Sequence, residues 1–247
     1  MAIGSFKRYI VGNVLYAVMA ACALVTVAGL ATSAAGIGDS WVAALVLHSQ
    51  ASELAALPWT PLTYAFVHSD FMHLLLNMLW LYAFGRIMLG YATQRRLAAV
   101  LAGGALCGAV CFLSVYTLYP GLGPASLLGS SAAVLAVATA TAVDVPDLPL
   151  RMWVLGEVKL KWIVTALVAL FCIGLTGSAA STAAHAGGAA FGILAGLARR
   201  RRRTQLSTEV MHSELDTLMH KVRTSGYEAL SARDRHRLFE LSYKTKR

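Results

Sequence analysis

Between Tyr9 and Gly85 the chain contains no lysine or arginine, and none falls within 97–150 or 162–198, although 21 basic residues are spread over its 247 positions. Gaps of this kind mark a chain threaded through hydrocarbon. A helix needs ~20 mostly apolar residues to cross ~30 Å of bilayer, and turn residues divide these stretches into six such units. They lie near 11–35, 71–88, 97–118, 129–143, 163–176 and 182–198. The expected fold is all-α: a polytopic membrane protein with six transmembrane helices.

Cytoplasmic loops collect Lys and Arg while short exported loops avoid them, so the same residues orient the chain. Lys7 and Arg8 place the N-terminus inside. Alternate loops then hold Arg95 and Arg96, next Arg151, Lys159 and Lys161, and finally the five arginines from Arg199 to Arg203. The intervening loops, 36–70, 119–128 and 177–181, hold none. A different span count would scramble that alternation. The reading is a six-helix membrane domain over 1–198 and a basic cytoplasmic tail over 199–247, with both termini cytoplasmic, in a cell (inner or plasma) membrane. In the tail, Val210, Leu215, Leu218 and Val222 recur at helical spacing and Gly226 stops that helix. Ser231 with Asp234 marks the start of a second helix through Leu241. The tail is thus expected to be a short helical hairpin, and its residues specify no partner.

The hydrophobic fraction of 57%, the charged fraction of 13% and the mean hydropathy of +0.63 lie far from soluble averages. The net charge of +9 follows from the positive-inside bias and the anionic inner leaflet. With no basic patch interleaved with aromatics, the expected partner is the lipid bilayer and not nucleic acid. Cys22, Cys107, Cys111 and Cys172 fall in apolar spans without a C-x-x-C pair, which reads as reduced cysteines used for packing. The first apolar run is too long for the core of a signal peptide, so an uncleaved anchor is expected. Within the loop 36–70, a mildly amphipathic stretch at 49–57 suits the membrane interface.

A polar side chain in hydrocarbon is costly enough to be a functional hypothesis by default. His73 and Asn77 lie four apart and share one face of the second span; taken singly, each reads more simply as a hydrogen bond between helices. Gly129, Ser130 and Ser131 open the fourth span. About 13 residues separate Ser131 from the turn signals at Asp144, Pro146 and Pro149, which is ~20 Å of helix and ~10 Å less than the hydrocarbon. Ser131 then sits below the outer surface, and the Gly- and Pro-bearing segment 120–128 dips inward, where irregular backbone must be buried by protein or line water. His185 opens the sixth span and shares a face with Gly188, Gly192 and Gly196. A glycine stripe admits a close helix neighbour, expected to be the fourth span through Ser131, Ala138 and Ala142. That packing would bring His185 to Ser131.

Three helices entering from outside thus place polar groups at one depth. Ser131 can serve as nucleophile, His185 as its general base, and His73, Asn77 and the Ser131 N–H as oxyanion donors. The spans hold no Asp, Glu or Lys to orient the histidine, so the expectation is a Ser–His dyad and not a triad. No metal or organic cofactor is called for.

His73-x-x-x-Asn77 with His68 five before it, Gly129-x-Ser131, and Ala184-His185-x-x-Gly188-x-x-x-Gly192 occur in one order on successive spans. In these residues the chain resembles, over about 9–198, the rhomboid intramembrane serine proteases. The resemblance implies a six-helix rhomboid-like bundle with a water-filled site open to the outside. It further implies hydrolysis of transmembrane protein substrates near the outer membrane face. It gives Ser131 and His185 the dyad roles, His73 and Asn77 the oxyanion, and His68 a place in a loop or water-retaining site. The spacing from Gly129 selects Ser131 over Ser130. Three positions depart from the family pattern: Ala132 where glycine is usual, Leu135 where an aromatic often stands under the histidine, and Thr60 after Trp59 where arginine is usual. The alternative reading is a catalytically inactive rhomboid-like protein that binds transmembrane helices. A small transporter or channel is a third, opposed by the lack of internal repeats and of intramembrane acids.

Overall fold

The computed structural model describes residues 13–37, 40–152, 156–172 and 179–245. Lys7, Arg8, the first two residues of the expected first span and the stretch 173–178 at the end of the fifth lie outside the described residues. The chain separates into two compact units, Met1–Leu197 and Ala198–Arg247.

The first unit begins with α1 (Val14–Ala34), capped by the Asn13 side chain, which accepts from the Leu15 N–H. Short elements follow: α2 (Ser40–Ala43), the two-residue strand β1 (Leu47–His48), α3 (Ala51–Ala56), α4 (Thr60–Thr63) and a 3-10 turn at Tyr64–Phe66. Asp70 opens α5 (Phe71–Leu89) by accepting from the His73 N–H at 2.8 Å, and Thr93 opens α6 (Gln94–Leu118) by accepting from the Arg96 N–H. Such caps satisfy donors that a helix start leaves unpaired. After β2 (Ser126–Leu127) come α7 (Ser131–Asp144), a hairpin of β3 (Pro149–Met152) and β4 (Gly156–Lys159), α8 (Leu160–Cys172) and α9 (Ala179–Ser225). Helices α1, α5 and α6 are long and apolar enough to cross a membrane, and α7 and α8 are shorter apolar helices. This is a multi-pass membrane protein.

Two short strand pairs accompany the helices of this mostly helical fold. β1 pairs antiparallel with β2, Leu47 against Leu127 and His48 against Ser126, so backbone entering α7 is tied to the first loop by sheet bonds. β3 and β4 pair likewise. Both meet the requirement that non-helical backbone find partners. The amphipathic stretch at 49–57 holds α3, which has no buried residue.

Helix α7 is the hub. Every residue from Ser131 through Thr141 is buried, as expected of a helix that is apolar all round. Its alanines leave little bulk, and neighbouring glycines close in. A Cβ at Gly104 or Gly108 of α6 would lie 2.3 Å from the Ala136 Cβ or 2.7 Å from the Ala132 Cβ. From α9, a Cβ at Gly188 would meet the Ala132 carbonyl oxygen at 2.2 Å, at Gly192 the Ala136 carbonyl at 2.2 Å, and at Gly196 the Val143 side chain at 2.7 Å. The glycine seam therefore forms, but against Ala132, Ala136 and Val143 rather than Ser131, Ala138 and Ala142. These two sets lie about a third of a turn apart on the helix, so the serine stands beside the seam, free to point across it. Beyond the far end of the seam, Arg96 pairs with buried Asp144 at 2.9 Å and donates to the Ala195 carbonyl at 3.5 Å, linking α6, α7 and α9.

In the second unit the remainder of α9 and α10 (Ala232–Thr245) form a hairpin. Gly226 ends α9 at φ +80°, a conformation glycine adopts without steric cost, and the Ser231 hydroxyl accepts from the Asp234 N–H. Leu218, Leu230 and Leu241 are buried, whereas Val210 is 67% exposed and is no part of the hairpin core. The Arg237 guanidinium grips Glu214 with two bonds of 2.8 and 2.9 Å.

Candidate functional site: a serine–histidine pair at the head of a buried helix

The site starts at Gly129. Its φ is +105°, and a Cβ there would lie 2.7 Å from the His73 Nε2, so both the backbone and the close ring require glycine. The Gly129 N–H donates to the Tyr64 carbonyl at 3.0 Å, and the Tyr64 hydroxyl donates to the Ala105 carbonyl. His68 holds the next residue: the Ser130 N–H donates to its Nε2 at 3.4 Å, with the Ser130 Oγ 3.1 Å away. That ring nitrogen is then the acceptor, so Nδ1 carries the proton and donates to Thr26 Oγ1 at 3.3 Å. His68 thus braces the turn through both the main chain and the hydroxyl of Ser130.

Ser131, the first residue of α7, places its Oγ 2.8 Å from the His185 Nε2. The Nδ1 of the same ring is 3.2 Å from the Phe171 carbonyl. A carbonyl can only accept, so Nδ1 holds the proton and Nε2 presents its lone pair to the serine hydroxyl, which donates. This is the tautomer a general base needs. Phe171 also sets its ring against the imidazole edge to face, 4.9 Å between centroids. The backbone of α8 thus orients the imidazole through Nδ1, and the Phe171 ring flanks it while Leu135 lies buried in the core.

The four residues singled out from the sequence, Ser131, His185, His73 and Asn77, line one cavity of about 170 Å³. Leu76, Leu127, Leu128 and Phe171 complete its apolar wall. Asn77 spends one amide hydrogen on the His73 carbonyl at 2.9 Å, and its second hydrogen remains for the cavity. His73 is different. The Ser69 hydroxyl donates to Asp70 at 2.8 Å, so its oxygen accepts the Nδ1–H of His73 at 3.0 Å. Neutral His73 therefore has no hydrogen on Nε2 and can donate there only as imidazolium. The His73 backbone N–H and the Ser69 hydroxyl hold the Asp70 carboxyl below its ordinary range, so this arrangement persists at neutral pH.

A family model, the Rhomboid domain, matches residues 56–202, which takes in every residue of this site except Thr26. The chain belongs to the rhomboid family. No curated protein matches it. Rhomboids are in general serine proteases of the membrane interior that act on transmembrane substrates, and the motifs by which the sequence resembles them here converge in space. Sequence reasoning passed over Phe171, because its carbonyl leaves no signature in residue type. It also passed over Gly108, which receives the Ala132 methyl; the small residue this rhomboid lacks at 132 is supplied across the interface.

Proposed function

We propose that this rhomboid is an active serine endopeptidase that hydrolyses peptide bonds of transmembrane proteins with a Ser131–His185 dyad. The observation that carries the reading is the 2.8 Å contact between Ser131 Oγ and His185 Nε2, with Nδ1 of the same ring 3.2 Å from the Phe171 carbonyl. As Ser131 Oγ attacks a substrate carbonyl, its proton passes to Nε2 and a C–O bond forms. The resulting oxyanion lies within reach of the Ser131 N–H, at the positive end of α7, and of the free Asn77 hydrogen. Collapse breaks the C–N bond while imidazolium protonates the departing amine. Water, deprotonated by His185, then releases the acyl group.

In this reading α1, α5, α6, α7, α8 and the start of α9 are the six spans, the basic loops and the tail from 199 are cytoplasmic, and the cavity opens to the outside of a cell membrane. The substrate helix unwinds locally to present its peptide bond. The test is labelling of the purified full-length protein by a fluorophosphonate. Labelling that vanishes in Ser131→Ala and survives in Ser130→Ala is the expected result. Absence of labelling in both detergent and lipid, with no cleavage of any transmembrane substrate, would overturn the enzyme and leave the helix-binding reading.

A further inference from the structure

A second cavity of about 160 Å³ lies behind the catalytic turn. Its floor is made of buried Leu81, Leu101 and Ala105 together with Ser130 and Ala133, the neighbours of the nucleophile. Its rim is made of Val14 and Val18 of α1 and Ala98 and Ala102 of α6, all partly exposed, with Leu62 at 42% exposure above them. This gradient from buried floor to open rim describes a groove that faces out between two membrane-spanning helices. Ser130 is already engaged by His68, so the groove offers no free polar partner. Apolar cavities of ~150 Å³ stay dry and accept apolar guests. At the depth of α1 and α6, the available guest is hydrocarbon.

A charge stands one helical turn before the α6 wall of the groove. Arg95, Ala98, Ala102 and Ala105 recur at i, i+3, i+7 and i+10, so they share one face of α6. Arg95 is exposed at the first turn of that helix and forms no ion pair among the described residues. From Gln94 to Ala105 the helix rises ~16 Å, about half the hydrocarbon thickness. A guanidinium at the membrane surface followed by an alanine-lined channel running to mid-depth matches one molecule: a phosphate head with an acyl chain beneath it.

We propose that this groove binds a phospholipid, with its phosphate on Arg95 and one acyl chain lying along Ala98, Ala102 and Ala105 to end against the Ser130–Ala133 turn. The chain fills the space behind the nucleophile and so supports the turn that carries Ser131. Binding does not depend on the protease reading, since its readout is the lipid itself.

The experiment reconstitutes the full-length protein in vesicles of phosphatidylglycerol carrying a photoreactive diazirine on one acyl chain, and maps the crosslinks by mass spectrometry. Crosslinks should concentrate at 98–105 of α6 and 14–18 of α1. Ala102→Trp, which fills the groove, should abolish that concentration. Arg95→Glu, an exposed change that leaves the packing intact, should lower occupancy at least about fivefold, the equivalent of ~1 kcal/mol per basic residue at a lipid surface. Crosslinks spread evenly over all lipid-facing positions, or a pattern unchanged by Arg95→Glu, would overturn the proposal. So would crosslinking that shows the groove closed by residues 1–12 of the chain itself.

Discussion

At the scale of single residues, proton positions decide what the site can do. His185 turns an unprotonated Nε2 toward Ser131 because a main-chain oxygen claims its Nδ1 hydrogen, whereas His73 is held in the form that lacks a donor toward the cavity. Asn77 needs no proton to donate. Loss of a preorganised oxyanion donor costs ~10²–10³ in kcat, so Asn77→Ala should show a penalty of that order that is constant with pH. The His73→Ala penalty, measured against wild type at the same pH, should shrink as pH rises and the imidazolium is lost. Full pH–rate profiles of the three proteins check this, and a His73 penalty that does not vary with pH would assign its donor hydrogen to the neutral ring. That these four residues meet at one cavity was legible in the chain. Their tautomers were not, because these depend on Ser69, Asp70 and the Phe171 carbonyl, none of which carries a motif.

At the scale of elements, the meeting of α7 with α9 is the contact that brings Ser131 to His185. Gly188→Ala sets two effects against each other. Alanine favours the helix by ~1 kcal/mol over glycine, but its methyl would sit 2.2 Å from the Ala132 carbonyl oxygen, a backbone atom that cannot swing aside. The clash wins. Overpacking of this kind costs ~1–3 kcal/mol, so the variant should melt lower in a thermal unfolding scan and lose its activity. An unchanged melting temperature would contradict the close approach of the helices. The periodicity of Gly188, Gly192 and Gly196 announced a seam, yet the partner face was misassigned. Sequence spacing tells which residues share a face; it does not tell how far the neighbouring helix is rotated, which here shows in Gly188 and Gly192 closing on the Ala132 and Ala136 carbonyls. The strand pairing of β1 with β2 was likewise invisible, since two-residue strands 78 positions apart (His48 and Ser126) leave no alternation to read.

At the scale of the whole molecule, the chain comprises a membrane unit and a polar hairpin that answer to different forces. The membrane unit is sorted by hydrocarbon and the hairpin by water and charge. In the hairpin, the Arg237 guanidinium keeps the Glu214 carboxyl below its ordinary value of 4.5, so Glu214 binds protons less readily folded than unfolded. The stabilisation from this contact is therefore complete above that value and is lost as pH falls through the lower folded value. Tail helicity followed by protease sensitivity should decline in that acid window, and Glu214→Gln should remove the dependence. A decline that persists in the variant would place it elsewhere in the tail.

The linear chain by itself determined that this is a membrane protein, where its apolar segments lie, and which serine, histidines and asparagine belong together. Those outcomes follow from costs paid residue by residue, since a cation or an unpaired polar group in hydrocarbon is expensive wherever the helix sits. What the tertiary structure alone decided was relational: which face of α7 meets the glycines, which nitrogen of each ring holds its hydrogen, and that a phenylalanine backbone stands where a carboxylate could have been. Such features belong to pairs of atoms brought together from distant positions, and no single residue carries them.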